Sequence, residues 1–176
     1  MNLRWTIHRA IVAGAMLGVL VPGPAHADEK FSDATCPAAV PSVVGFTTVA
    51  NTPPLDPAAL LSAAIAAGDA YEVCALQLRT DQHSEPQGHY AQFRAAQYFV
   101  VAGRVEIQLG KFDLARKYLG VARQEATDVA GWQPFGSSSA TRHSVWADKS
   151  KAILAAVDEA DKALPTPDSP KPTSTP

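Results

Sequence analysis

Three histidines lie beyond the first 27 residues, and their neighbours decide what chemistry this chain can carry. Asp81, His83, Glu85 and His89 gather four possible metal ligands in nine residues. A helical zinc site needs two imidazoles four positions apart, on one helix face, and His83 and His89 do not have that spacing. The stretch 80–89, TDQHSEPQGH, reads instead as a solvated turn, so no metal ligand and no cofactor is expected. His143, Ser144 and Asp148 hold the residue types of a hydrolase triad, but adjacent residues on a helix point in divergent directions and no nucleophile elbow is present. No catalytic residue is assigned, and the chain is expected not to be an enzyme. Cys36 and Cys74 complete the reactive set. A thiol nucleophile needs a base to make its thiolate, and no histidine is near either cysteine in sequence. Their spacing matches neither a C-x-x-C redox motif nor a zinc ligand set.

The N-terminus supplies the compartment. Arg4 and Arg9 precede an apolar run from Ala10 to Val21, followed by Pro22-Gly23-Pro24 and Ala25-His26-Ala27. This has the three parts of a secretory signal peptide, ending in an A-x-A site, so residues 1–27 are expected to be removed after Ala27. The run falls short of the roughly 20 residues that span a bilayer as a helix. With no second apolar stretch read as a span, the mature chain is expected to be exported to the periplasm or the extracellular space, without insertion in a membrane. Two cysteines in an oxidising compartment most simply pair, so a Cys36–Cys74 disulfide is predicted. It would close a loop of about 39 residues, worth about 4 kcal/mol in the chain-entropy model.

Composition narrows the classes further. The chain of 176 residues is 47% hydrophobic and only 18% charged, which excludes a disordered acidic tail or a basic nucleic-acid arm. Without its first 27 residues it carries 13 basic and 17 acidic side chains, a net charge of −4. Nucleic acid is therefore not an expected partner, because its footprint is a clustered basic surface.

The remaining sequence reads as helices. Residues 28–54 hold Pro37, Pro41, Pro53 and Pro54, too closely spaced for a long helix, and are expected to be an extended segment, with at most a short strand or helical turn, packed on the domain. The helical domain, 55–164, opens with Asp56 as N-cap, Pro57 at the first helical position and Leu55 placed to staple onto Leu60. Gly68-Asp69 leaves open whether one helix or two run to Arg79. Ser84 and Gln87 offer a capping box for a helix through Leu109 whose apolar residues cover too much of its circumference for a surface helix. After Gly110, positions 112, 115, 118, 119, 122, 126 and 129 step by three and four, with Arg116, Lys117 and Arg123 on the other face. A last helix from about Thr141 to Leu164 shows a narrow stripe of Trp146, Ser150, Ile153, Val157, Ala160 and Leu164. The Pro/Ser/Thr-rich end, 165–176, cannot bury a core and is expected to be disordered.

Phe99, Ala102 and Gly103, the turn at Gly110 with Phe112, and then Ala115, Leu119 and Ala122 together resemble a tetratricopeptide-repeat hairpin, over about one repeat. Small residues stand where two antiparallel helices approach closely, which gives Gly103 a physical reason to sit inside a helix. Glu106 departs from the pattern where the repeat prefers an aromatic residue, and Thr127 stands near its closing proline. The resemblance implies an all-α antiparallel helical hairpin array and a scaffold that binds an unidentified protein or peptide. No binding residue carries over, because the matched positions are packing ones. The candidate partner contacts are the outward Arg116, Lys117 and Arg123 and the aromatic Trp132 and Trp146. The alternative is a small-molecule or metal-binding protein with a pocket between helices near Tyr90, Trp132 and Trp146.

Overall fold

The computed structural model describes residues 35–80, 85–132 and 140–166, with the backbone alone for Glu85 and 140–147. Among these residues the protein is all-helical, with five helices and no strand: α1 (Val40–Ala50), α2 (Pro57–Arg79), α3 (Glu85–Gln108), α4 (Phe112–Gly131) and α5 (Ala140–Asp161). The expected signal peptide, residues 81–84 and the tail from 167 lie outside them.

The first helix corrects the expected extended segment. Pro41 sits at the second position of α1, where its missing N–H costs no helical hydrogen bond, and Pro53 and Pro54 follow the end of the helix. The prolines therefore delimit eleven helical residues rather than forbid them. Asn51 closes α1 by donating its backbone N–H to the Thr47 carbonyl at 3.2 Å and its side-chain amide to the same oxygen at 2.8 Å. The disulfide joins Cys36, one turn before α1, to Cys74 on α2, with the two Cα atoms 5.9 Å apart. Phe46 meets Tyr98 of α3 edge-on at 5.0 Å, so α1 is held against both α2 and α3.

Asp56 caps α2 as expected, its carboxylate accepting from the Ala58 N–H at 2.9 Å, and Leu55 packs beside Leu60 in one apolar cluster. The helix then runs unbroken through Gly68 and Asp69. Gly68 serves an approach rather than a break, since a Cβ there would lie 2.8 Å from the Phe99 ring. By length and composition α2 is also apolar enough to cross a membrane, with mean hydropathy 1.4, which departs from the expectation of no second apolar stretch. Its apolar face is used within the protein: Leu60, Ala64, Ala67, Tyr71, Cys74 and Ala75 are buried.

α3 is the central helix, packed on α2, α4 and α5. Tyr98, Phe99, Val100, Val101, Ala102 and Val105 are all buried, covering more than one face. Gly110, at φ 72°, reverses the chain in the left-handed region that favours glycine. The α4 stripe appears as read, with Ala115, Leu119, Ala122, Ala126 and Val129 buried. Gly103 admits Leu119 at the α3–α4 crossing, where a Cβ would lie 2.6 Å from the leucine Cγ. α5 buries Ser150, Ile153, Val157 and Ala160 against its neighbours, and turns after Asp161 bring Leu164 to the same surface.

Candidate functional site

The outward basic residues turn out to be largely committed within the protein. Arg123 donates from Nη1 to Asp158 at 2.7 Å and from Nη2 to Asp161 at 2.5 Å, clamping α4 to α5. These bonds hold its guanidinium pKa above the ordinary range, with the Asp158 hydrogen bond the largest contribution. Arg116 bonds Asp113 at 3.1 Å and the Pro165 carbonyl at 2.6 Å, so the first residue of the expected disordered tail is docked on α4. Lys117 is exposed, its Nζ 5.9 Å from the Tyr118 ring centroid. Arg116 and Arg123 line an open cleft of about 420 Å³ with Gly120, Asp161 and Leu164. The sequence placed these arginines outward correctly but gave no sign of the carboxylates that α5 brings to them. Because both sides of the Arg123 pair are more than a third exposed, Arg123→Ala is expected to cost about 0.5–1 kcal/mol, less at high salt. Hydrogen exchange should quicken at the C-terminal end of α5, and unchanged exchange there would contradict a clamp.

Trp132 ends α4 and lies against His89, with ring centroids 4.6 Å apart and planes tilted by 32°. His89 is 5% exposed and bonds Gln92 at 2.8 Å, so it serves the packing of α3 against α4. Tyr90 is buried, and the Trp146 side chain lies outside the described residues, as do Asp81, His83 and the side chains of Glu85, His143 and Ser144. Asp148 is exposed and pairs with Lys151 at 3.0 Å. Among the described residues, no group of three or more His, Cys, Asp or Glu side chains is placed to hold a metal ion. Cys36 and Cys74 are joined as read and have no thiol to offer.

A second surface forms where α2 and α4 each pack on α3. The helical period puts Ile65, Asp69, Glu72 and Leu76 along one wall and Leu114, Tyr118, Val121, Glu125 and Asp128 along the other. Gln92, Phe99 and Glu106, seven apart on α3, lie buried between them at 3%, 3% and 2% exposure. Phe99 links the walls, contacting the Gly68 backbone on α2 and stacking on Tyr118 of α4 at 6.2 Å.

No family model, characterised protein or solved structure matches this chain. Gln92 lies beside the Glu125 carboxylate, and its Oε1 is 2.8 Å from His89 Nδ1. Burial raises the Glu125 pKa, the Gln92 bond opposes it, and the Glu72 and Asp128 carboxylates add to the rise. Burial also raises the Tyr118 phenol, followed by the charges of Glu106 and Asp69. The Oε2 atoms of Glu106 and Glu125 are buried without a hydrogen-bond partner among the described residues. The sequence singled out Glu106 only as a departure from a repeat pattern. The seven-residue spacing of Gln92, Phe99 and Glu106 was the available signal.

A raised carboxyl pKa fixes the sign of a pH effect. The contribution of Glu125 to stability is full below its unfolded pKa, near 4.5, and is lost as pH rises through the higher folded value. Glu125→Gln is expected to be more stable than the wild-type protein at pH 7 and to lose that part of the pH dependence. Thermal unfolding of both proteins between pH 4 and 8 checks this, and superimposable profiles would contradict it.

Proposed function

We propose that the chain is an exported, non-catalytic helical scaffold that binds a protein or peptide partner, built as a tetratricopeptide-like array of antiparallel hairpins. The close α3–α4 crossing supports the hairpin reading, because Gly103, Ala115 and Leu119 meet there and Gly110 makes the turn. The buried Cys36–Cys74 bridge is compatible with an oxidising compartment. The observation that carries the binding reading is the surface where α2 and α4 flank α3, along which the exposed Leu76 and Leu114 stand with the half-buried Tyr118. An extended peptide or a partner helix has the shape to lie along such a surface.

Mild cross-linking in the envelope fraction followed by affinity purification of the mature chain tests the reading. A single protein recovered in near-equimolar amount is expected. A bound small molecule or metal with no protein would overturn it in favour of a ligand-binding protein, for which the 420 Å³ cleft beside Arg116 and Arg123 falls in the usual size range.

A further inference from the structure

The helix α1 is attached to the protein differently from the other four. Residues 34–55 carry no charged side chain. The polar side chains of α1 and its cap are spent on the helix itself: the Thr47 and Thr48 hydroxyls donate to the Val43 and Val44 carbonyls at 2.9 and 2.8 Å, and the Asn51 amide to that of Thr47. Among the described residues no ion pair or side-chain hydrogen bond of α1 reaches another helix. None of its eleven residues is buried. Its inner face is apolar, with Phe46, Val49 and Ala50 against Leu60, Ala64 and Val101, and Phe46 edge-on to Tyr98. Nor is α1 suited to stand as a helix alone. Four of its residues are valine, two are threonine and one is Gly45, all types of low helix propensity, and helices shorter than about 12 residues are marginal in water. Docking and helix formation in α1 are therefore one event, and the bridge one turn before it is the covalent tie that favours both.

We propose that α1 is a strap latched by the Cys36–Cys74 bridge. Closed, it occupies the apolar groove between α2 and α3; opening the bridge undocks and unwinds it while α2 to α5 stay folded. The packing of α2 and α4 on α3, and of α5 on α4, uses no residue of α1, so those helices keep their mutual contacts when it leaves. Leu60, Tyr98 and Val101, buried while the strap is in place, then face water. The reductant is a dithiol. One of its thiolates attacks the sulfur of Cys74, the more exposed of the pair at 8% against 1%, and Cys36 leaves as a thiolate that takes up a proton. The second thiol of the reductant displaces Cys74 from the mixed disulfide, so two electrons pass to the protein and the dithiol departs as a disulfide. Reoxidation reverses both steps and closes the strap.

Hydrogen exchange of the mature protein with and without dithiothreitol, followed by mass spectrometry of peptides from α1, α3 and α4, tests the latch. Reduction is expected to speed exchange in α1 by about a hundredfold or more, and in α3 and α4 by less than about threefold. The far-UV helical signal should fall by about a tenth, the share of α1 among the helical residues. Fluorescence of an added anilinonaphthalene sulfonate should rise as the groove is uncovered, and removal of the reductant in air should restore all three readings. Cys36→Ser with Cys74→Ser is expected to give the reduced pattern without any reductant. Exchange in α1 that changes by less than about tenfold would show that packing alone holds the helix. Equal quickening in α1, α3 and α4 would make the bridge a staple of the whole domain. Either result overturns the proposal.

Discussion

Replacing both Cys36 and Cys74 with alanine is expected to lower the stability of the folded chain by about 4 kcal/mol, and the thermal midpoint by roughly 10–20 °C. The bridge spans 38 positions, so opening it returns the freedom of a long loop to the unfolded chain. Both residues are buried, at 1% and 8% exposure, so the substitution also removes packed sulfur from between α1 and α2. Without the bridge α1 is retained by the packing of Ala39, Val43, Phe46, Val49 and Ala50, all but Ala39 only partly buried, a small area for eleven helical residues. The loss should therefore be felt first as faster hydrogen exchange in α1 and then as a lower midpoint. Thermal unfolding of the double variant beside the oxidised wild-type protein measures it. A midpoint within two or three degrees of wild type would show that the helices hold without the bridge.

Gly103→Val is expected to cost about 2–3 kcal/mol, through the α3–α4 crossing. The new Cβ would meet Leu119 at 2.6 Å from Cγ and 2.7 Å from Cδ2, with the Ala115 carbonyl oxygen at 3.4 Å behind it. Leu119 is 1% exposed and has no open space to turn into, so the helices must separate. Adding Leu119→Ala should return part of the loss, because it empties the volume the valine needs, and the double variant should be less destabilised than the two single changes summed. Gly120→Ala is the matched control. A Cβ at 120 meets nothing within 4 Å, so the substitution gains up to about 1 kcal/mol of helix propensity. Urea denaturation of the four variants beside the wild-type protein reads all of this. Additive losses for Gly103→Val and Leu119→Ala would contradict a shared contact.

Elements whose signals are local were legible in the sequence. Asp56-Pro57 fixes the start of α2 because cap and proline act within one turn, and the α4 stripe is legible because five buried residues repeat at helical spacing against a charged face. The α5 stripe predicted burial even for Ser150, a polar residue, which is fully buried. The misreadings arose where a residue's meaning depends on a distant partner. Gly68-Asp69 left one helix or two open until Phe99 is seen against Gly68. Pro37, Pro41, Pro53 and Pro54 looked like helix breakers, although three of them lie outside a helix and one at its tolerated start. Arg123 looked like a free surface charge because Asp158 and Asp161 lie 35 and 38 residues away. The proximity of Glu72 and Glu125 was hidden for the same reason: they come from different helices, and only the packing of α2 and α4 on α3 brings them together.

Native mass spectrometry of the chain isolated from the envelope fraction without cross-linker tests the central claim most directly. A chain beginning at Asp28, two hydrogens lighter than its reduced form and bound to one protein partner, is the predicted result. The bare chain alone, or a chain carrying only a small molecule, would contradict a protein-binding scaffold.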